Sequence, residues 1–183
     1  MRQALKLHPD SHCTAAARID VEVARPRPGH LVLRYIVAGA MGDLRLPPPA
    51  APARVDGLWR HTCFEAFVGA TPGAAYYEFN FAPSTQWAAY RFAGYRRGMS
   101  VADEAGAPVI EVQAAAEGCA VQASLALDRL SGLPGGAPWR LGLSAVIEDG
   151  GGRISYWALA HPPGKADFHH PDGFAHELWA VER

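Results

Sequence analysis

Cysteine, lysine and long apolar runs are all scarce in this sequence. The cysteines, Cys13, Cys63 and Cys119, lie far apart and form no C-x-x-C pair, which argues against a disulfide framework and against a zinc ribbon. No stretch approaches the roughly 18 consecutive apolar residues of a transmembrane helix. The 17 Lys and Arg residues are balanced by 18 Asp and Glu residues, giving a net charge of -1. Without a basic patch, we expect neither a nucleic-acid partner nor a membrane partner.

What the sequence does contain suffices for one folded domain. It has 183 residues, of which 49% are hydrophobic, so a substantial core is available without metal or disulfide crosslinks. The segment from Met1 to Pro9 lacks the continuous apolar stretch of a secretory signal, and we therefore expect a cytoplasmic location. Arginine greatly outnumbers lysine and Asn80 is the sole asparagine, a bias typical of a GC-rich bacterial genome. We predict a single domain over residues 1–183.

Short apolar runs separated by turn residues indicate an all-β protein. The 19 glycines and 15 prolines are distributed between these runs. Within Arg18–Ala24, the residues Ile19, Val21 and Val23 alternate with polar ones, as in a half-buried strand. The pattern predicts an antiparallel β-sandwich. The predicted strands are Arg18–Ala24, His30–Val37, Thr62–Val68, Tyr76–Ala82, Gln86–Phe92, Val109–Ala116, Ala120–Leu127, Trp139–Ile147, Ile154–Leu159 and Glu177–Val181.

Three other segments are predicted to connect strands. Met41–Arg54, which contains three consecutive prolines, is expected to cross between parts of the fold. Gly94–Pro108 is polar and is expected to form a long exposed loop. Gly150–Gly152 is expected at the tip of a hairpin.

The segment from residue 58 to residue 97 contains the most informative polar residues. Because side chains alternate along a strand, Glu65 lies on one face of its predicted strand, and Glu78 and Asn80 lie on one face of the next. The opposite faces are apolar, at Phe64 and Phe79 for example, and core must face core. The register therefore brings Glu65 next to Glu78 or Asn80.

The third strand of this group can be oriented in two ways. It places either Trp87 and Arg91 or their neighbours Tyr90 and Phe92 on the polar face. If Trp87 and Arg91 lie there, two acids, an amide, an arginine and a tryptophan converge on one sheet surface. Such a surface is a candidate site for a polar ligand. Alternatively, Arg60 or Arg91 neutralises the acids in a purely structural network, since buried carboxylates need partners.

A second polar cluster lies between residues 160 and 174. Its Asp167, His169 and His170 are weak candidates for metal ligands, because imidazole and carboxylate groups commonly bind metals. Their spacing matches no closed zinc pattern. A rigid Pro- and Gly-containing loop, in which Asp and His side chains bond to their own backbone, accounts for the segment equally well.

Taken together, four motifs resemble bacterial DOMON-like proteins, which are related to family-9 carbohydrate-binding modules. The resemblance spans residues 58–174 and implies a single β-sandwich with jelly-roll-like topology. Relatives bind haem or sugars, the latter through tryptophans and commonly with structural calcium; by this resemblance Trp87 is a candidate sugar-stacking residue. The motifs are Leu58–Phe67 (LWRHTCFEAF), Tyr77–Ser84 (YEFNFAPS), Trp87–Phe92 (WAAYRF) and Asp167–Phe174 (DFHHPDGF).

We therefore expect a non-catalytic domain that binds a small polar ligand, most plausibly a saccharide. The alternatives are a haem-binding DOMON domain and a glycoside or sugar-ester hydrolase that uses a carboxyl pair for acid–base chemistry. No cofactor is expected, with haem and calcium as the alternatives, and the sequence does not define the oligomeric state. The expected ligand-binding residues are Trp59, Arg60, Glu65, Glu78, Asn80, Trp87 and Arg91.

Overall fold

The computed structural model describes residues 1–179, and within that range the regular secondary structure is strands and three short 3-10 turns, joined by loops. None of these turns has the length and apolar character that a membrane crossing requires. The 3-10 turns are Met41–Asp43, Leu58–Arg60 and Pro171–Gly173. The strands are β1 (Arg2–Leu7), β2 (Arg18–Ala24), β3 (His30–Ala38), β4 (Cys63–Ala70), β5 (Tyr76–Phe81), β6 (Trp87–Phe92), β7 (Ser100–Val101), β8 (Val109–Ala115), β9 (Gly118–Ala126), β10 (Trp139–Glu148), β11 (Ile154–Ala158) and β12 (His176–Leu178).

The strands form two antiparallel sheets of a jelly-roll-like β-sandwich. The front sheet has the order β7-β6-β5-β4-β10-β11, and β12 pairs with the first residues of β10. The back sheet has the order β2-β3-β9-β8. Strand β1 belongs to both, because Arg2–Leu5 pair with β2 whereas Lys6 and Leu7 pair with β11. This arrangement confirms the expected fold class.

The main core lies between the two sheets. Alternation in β2 directs Ile19 and Val21 inward, where they are fully buried, and β4 and β5 contribute Phe64 and Phe79 from the other side. The buried Tyr35 of β3 donates its hydroxyl hydrogen to the backbone carbonyl of Glu65 over 2.7 Å, so this polar group is satisfied inside the core. The bond also ties the back sheet to the strand that bears Glu65.

The front sheet is covered on its outer face as well. There, side chains from β4, β5 and β6 form an outer cluster, against which Leu58, Phe168 and Phe174 pack from the connecting loops. Strands covered on both faces are expected to be continuously buried, and every residue of β5 is buried. The outer face of the front sheet is therefore largely shielded from solvent, and polar groups buried there need hydrogen-bond partners. The outer cluster comprises Phe67, Tyr76, Ala88, Tyr90 and Phe92.

Most predicted strands are confirmed with small shifts in their ends, and Gly150–Gly152 lies in the β10–β11 hairpin connection. Strand β1 was not predicted. The loop predicted over Gly94–Pro108 is wrong in part, because it contains β7 and buries Ala102 and Ala105 in the main core. The strand predicted at Glu177–Val181 corresponds to β12, which ends at Leu178, and its last two residues lie outside the described range.

Candidate functional site

Two glutamates form the floor of the candidate site. In the β4–β5 ladder Glu65 is paired with Asn80 and Phe67 with Glu78, so both carboxyl groups lie on the outer face of the front sheet. Glu65 is 3% exposed and Glu78 is 6% exposed. The Asn80 amide donates to Glu78 Oε1 over 2.8 Å, and the Ser144 hydroxyl donates to Glu65 Oε2 over 3.4 Å. These neutral donors orient the carboxyl groups without neutralising them.

Burial raises the pKa of both glutamates. Desolvation is the largest cause for Glu65, and the charge of Glu78 adds to it. Desolvation likewise raises the pKa of Glu78, although the Asn80 hydrogen bond and the positive charge of Arg96 oppose the change. Since the two groups interact, they titrate as a pair, and the pair retains a proton above the pH at which an exposed glutamate ionises.

His169 lies beside this pair as a neutral ring. Its Nδ1 is 2.8 Å from the Tyr76 hydroxyl, which itself accepts a hydrogen bond from the Arg96 amide over 3.3 Å. In the tautomer that carries its proton on Nε2, the ring accepts the phenol hydrogen at Nδ1. Burial lowers the pKa of His169 to about 4. Its Nε2 lies 3.7 Å from Glu78 Oε2.

Asp167 ties together the two loops that form one wall. The Arg96 guanidinium contacts Asp167 at 2.7 Å, and the Tyr95 hydroxyl also donates to that carboxylate. These bonds hold the pKa of Asp167 below its usual value, despite partial desolvation. Because Arg96 is engaged by Asp167, its charge is largely balanced within the wall.

Trp59 stands at the opening because of its local backbone. It occupies the middle of the 3-10 turn Leu58–Arg60, which follows Gly57 at φ 77°, a left-handed conformation that favours glycine. Leu58 packs into the outer cluster, and the indole of Trp59 meets the ring of Tyr90 edge to face at 6.2 Å. The indole remains 39% exposed and borders the cleft.

The glutamates open into a cleft of about 420 Å³, within the range of pockets for small ligands. Its walls present aromatic and thioether groups beside the carboxyl pair and the His169 ring. A ligand in the cleft would meet acceptors and a protonated carboxyl on the floor and apolar surfaces at the sides. The main wall residues are Trp59, Phe92, Arg96, Met99, Tyr156 and Phe168.

Four of the predicted ligand-binding residues lie at this cleft or behind it. Trp59, Glu65 and Glu78 line it, and Asn80 is fully buried beneath, where it holds Glu78. Arg60 is exposed and does not line the cleft. It therefore does not neutralise the glutamates.

The predicted convergence of Trp87 and Arg91 with the acids is wrong. Both are on the opposite face of β6, because that strand directs Tyr90 and Phe92 outward. Trp87 is 6% exposed in the main core, with the Arg54 guanidinium 4.6 Å from its ring centroid. Arg91 is exposed and pairs with Glu104 at 3.4 Å.

The three weak metal candidates do not converge either. Asp167 bonds to Arg96 and Tyr95, His169 to Tyr76, and the His170 ring accepts from the Asp172 amide over 3.2 Å. Across residues 1–179 the structure brings together no three His, Cys, Asp or Glu side chains that could hold a metal ion. Asp167, His169 and His170 therefore do not form a metal site with one another. The Nδ1 of His169 is engaged by Tyr76 and is not free to bind a haem iron.

Sequence reasoning did not place Arg96, Met99, Tyr156 or Phe168 at the site. Arg96 and Met99 come from the β6–β7 connection, Tyr156 from β11 and Phe168 from the connection after β11, and only the fold unites these three segments. Arg96 carries one signal in the sequence, because it lies in a turn-rich, polar stretch. Its φ of 51° is visible only in the structure. For Tyr156, alternation along β11 places the ring on the outer face of the front sheet, but that alternation does not say which strand is its neighbour.

No protein-family model matches the chain, and no curated protein matches it. Several solved structures, in contrast, are similar to it. A protein from Bacteroides uniformis ATCC 8492, proposed to bind carbohydrate, is similar at TM-score 0.68 with 13% identity, over 94% of this chain and 83% of that one. A family 9 carbohydrate-binding module from Caldicellulosiruptor kristjanssonii in complex with glucose gives TM-score 0.54 and 14% identity, over 95% of this chain and 81% of that one. A family 9 module from the same organism in complex with cellotriose gives TM-score 0.53 and 12% identity, over 90% of this chain and 74% of that one. The chain therefore has the β-sandwich fold of the family 9 carbohydrate-binding modules.

Proposed function

We propose that residues 1–183 form one non-catalytic domain that binds a saccharide in the cleft above Glu65 and Glu78. The observation that carries the proposal is the placement of two nearly buried carboxyl groups at the floor of an open cleft with aromatic walls. The folds of the modules bound to glucose and to cellotriose support it.

Sugar rings need two kinds of contact, and the cleft offers both. Hydroxyl groups pair with acceptors and donors, which Glu65, Glu78 and the Nε2 hydrogen of His169 provide. The apolar face of a pyranose packs against an aromatic ring, and Trp59 and Tyr156 are the exposed aromatic residues at the cleft. Bound sugar would also satisfy carboxyl oxygens that have no protein donor.

The test is calorimetric titration with glucose and cellotriose, comparing wild type with Trp59→Ala. Losing the apolar contact of one indole should weaken binding by about tenfold. Trp179→Ala is the matched control, because Trp179 is 69% exposed and lies away from the cleft. Absence of binding to either sugar, or equal effects of the two substitutions, would refute the proposal.

Glycoside hydrolysis is a second candidate, favoured by one observation. Such reactions need one protonated and one ionised carboxyl group, and the coupled pair of Glu65 and Glu78 retains a proton. Release of reducing sugar from oligosaccharides that is lost in Glu65→Gln would establish hydrolysis. Binding without turnover would leave the non-catalytic function.

A further inference from the structure

The charges of the cleft do not balance. Glu65 and Glu78 are the acidic groups of the floor, and burial keeps His169 neutral near neutral pH. Arg96 is the one cation among the residues that line the cleft in the described part of the chain, and it is paired with Asp167. The floor is therefore an acidic site without a matching protein cation.

Two carboxyl oxygens at this floor have no protein hydrogen bond. Within residues 1–179, Glu65 Oε2 accepts from Ser144 and Glu78 Oε1 accepts from Asn80, whereas the second oxygen of each carboxyl group has no donor within hydrogen-bonding distance. The closest basic nitrogen to Glu78 Oε2 is His169 Nε2, at 3.7 Å. Both residues are more than nine-tenths buried and both line the cleft. Neither oxygen is enclosed in the protein, so a ligand donor in the cleft can reach both.

We propose that the cleft selects saccharides that carry a free amino group, with the ammonium bound between Glu65 and Glu78. This inference rests on the proposed saccharide function and specifies its ligand class. An ammonium has three donors, enough for both open oxygens, and its charge offsets that of the pair. The neighbouring ring of Trp59 favours a cation over a neutral hydroxyl as well.

Binding of the ammonium should release the proton that the carboxyl pair retains. The amine enters already protonated, the retained carboxyl proton passes to solvent, and two carboxylates then face one ammonium, so charge and atoms balance. No other group near the pair supplies that proton in its place, since the tyrosines and the thiol have raised pKa values and Arg96 keeps its proton. The titratable and charged groups around the pair are Tyr35, Asp56, Cys63, Tyr76, Tyr90, Arg96, Asp167 and His169.

The experiment compares glucosamine, glucose and N-acetylglucosamine by calorimetric titration at neutral pH. Because charge-assisted hydrogen bonds are stronger than neutral ones, glucosamine should bind about tenfold more tightly than either neutral sugar. Repeating the titration in buffers of different ionisation enthalpy should reveal proton release for glucosamine alone. Glu78→Gln and Glu65→Gln should each remove most of the preference, whereas Glu111→Gln, on exposed β8, should retain it.

The outcomes separate this inference from the proposed function. Equal or tighter binding of glucose overturns the amine preference and leaves saccharide binding intact. No binding of any of the three sugars refutes both. A preference for glucosamine that persists in both Gln variants, or a heat that does not depend on the buffer, also overturns the inference, because the acid pair would then not hold the ammonium.

Discussion

Replacing Glu65 with glutamine should stabilise the protein as the pH rises. The glutamine has nearly the same shape and can still accept the hydrogen bond from Ser144, but it never has to carry a charge in a desolvated position. Because the folded pKa of Glu65 lies well above its usual value of 4.5, folding stability in the wild type is complete below that pH and is lost as the pH rises toward the folded pKa.

The size of the effect follows from proton linkage. Each pH unit over which the folded protein holds one extra proton lowers the free energy of unfolding by about 1.4 kcal/mol. For a protein of this length, that corresponds to roughly 3–5 °C in Tm. Glu65→Gln removes this pH-dependent loss of stability, and it also removes the repulsion between Glu65 and Glu78. The variant should therefore match wild type near pH 4.5 and exceed it progressively at higher pH.

Urea unfolding of both proteins across this pH range measures the difference directly. Glu111→Gln, an exchange of the same type on the exposed strand β8, should follow the wild-type curve. Parallel curves for wild type and Glu65→Gln would refute the reasoning, since they would mean that Glu65 ionises in the folded protein as readily as in the unfolded chain. A variant less stable than wild type at neutral pH would refute it as well.

Two further predictions concern His169 and Trp87. The His169 ring should titrate with a midpoint of about 4 in an NMR pH series, as burial lowers its pKa, and a midpoint near 6.5 would contradict its placement. A lowered histidine pKa destabilises the fold as pH falls below 6.5, so this group opposes the trend of Glu65. Trp87→Ala should cost about 3–5 kcal/mol in denaturant unfolding, because it empties a core position, yet leave saccharide affinity unchanged. Weakened binding in a folded Trp87→Ala protein would show that this residue reaches the ligand.

The orientation of β4 and β5 could be predicted because their outer residues differ in kind from their inner ones. Phe64 and Phe79 are apolar where Glu65 and Glu78 are not, so a period of two assigns each face. Strand β6 gives no such signal, since Trp-Ala-Ala-Tyr-Arg-Phe has large apolar residues at both parities. The orientation of β6 is set by its pairing with β5, which continues the inner face of β5 through Trp87. Trp87 therefore lies in the main core.

The other residues of the site could not be predicted from local sequence patterns. His169 meets Glu78 only because a connection far along the chain folds over the front sheet. Strand β1 has a single buried side chain, Leu5, so its alternation is weak. Its own residues do not indicate that it pairs with both β2 and β11. Pairings between distant segments are fixed by packing, and the sequence of either segment alone does not specify them.

The dual pairing of β1 determines when the protein can fold during synthesis. Its first residues can pair with β2 early, since Leu5 pairs with Ile19 only 14 residues downstream. Its last residues must wait for β11, because Lys6 pairs with Ala158. The two sheets cannot be joined through this strand until that part of the chain has left the ribosome, and contacts of such long sequence separation make folding slow. During that interval the unpaired end of β1 is open to pairing with another chain.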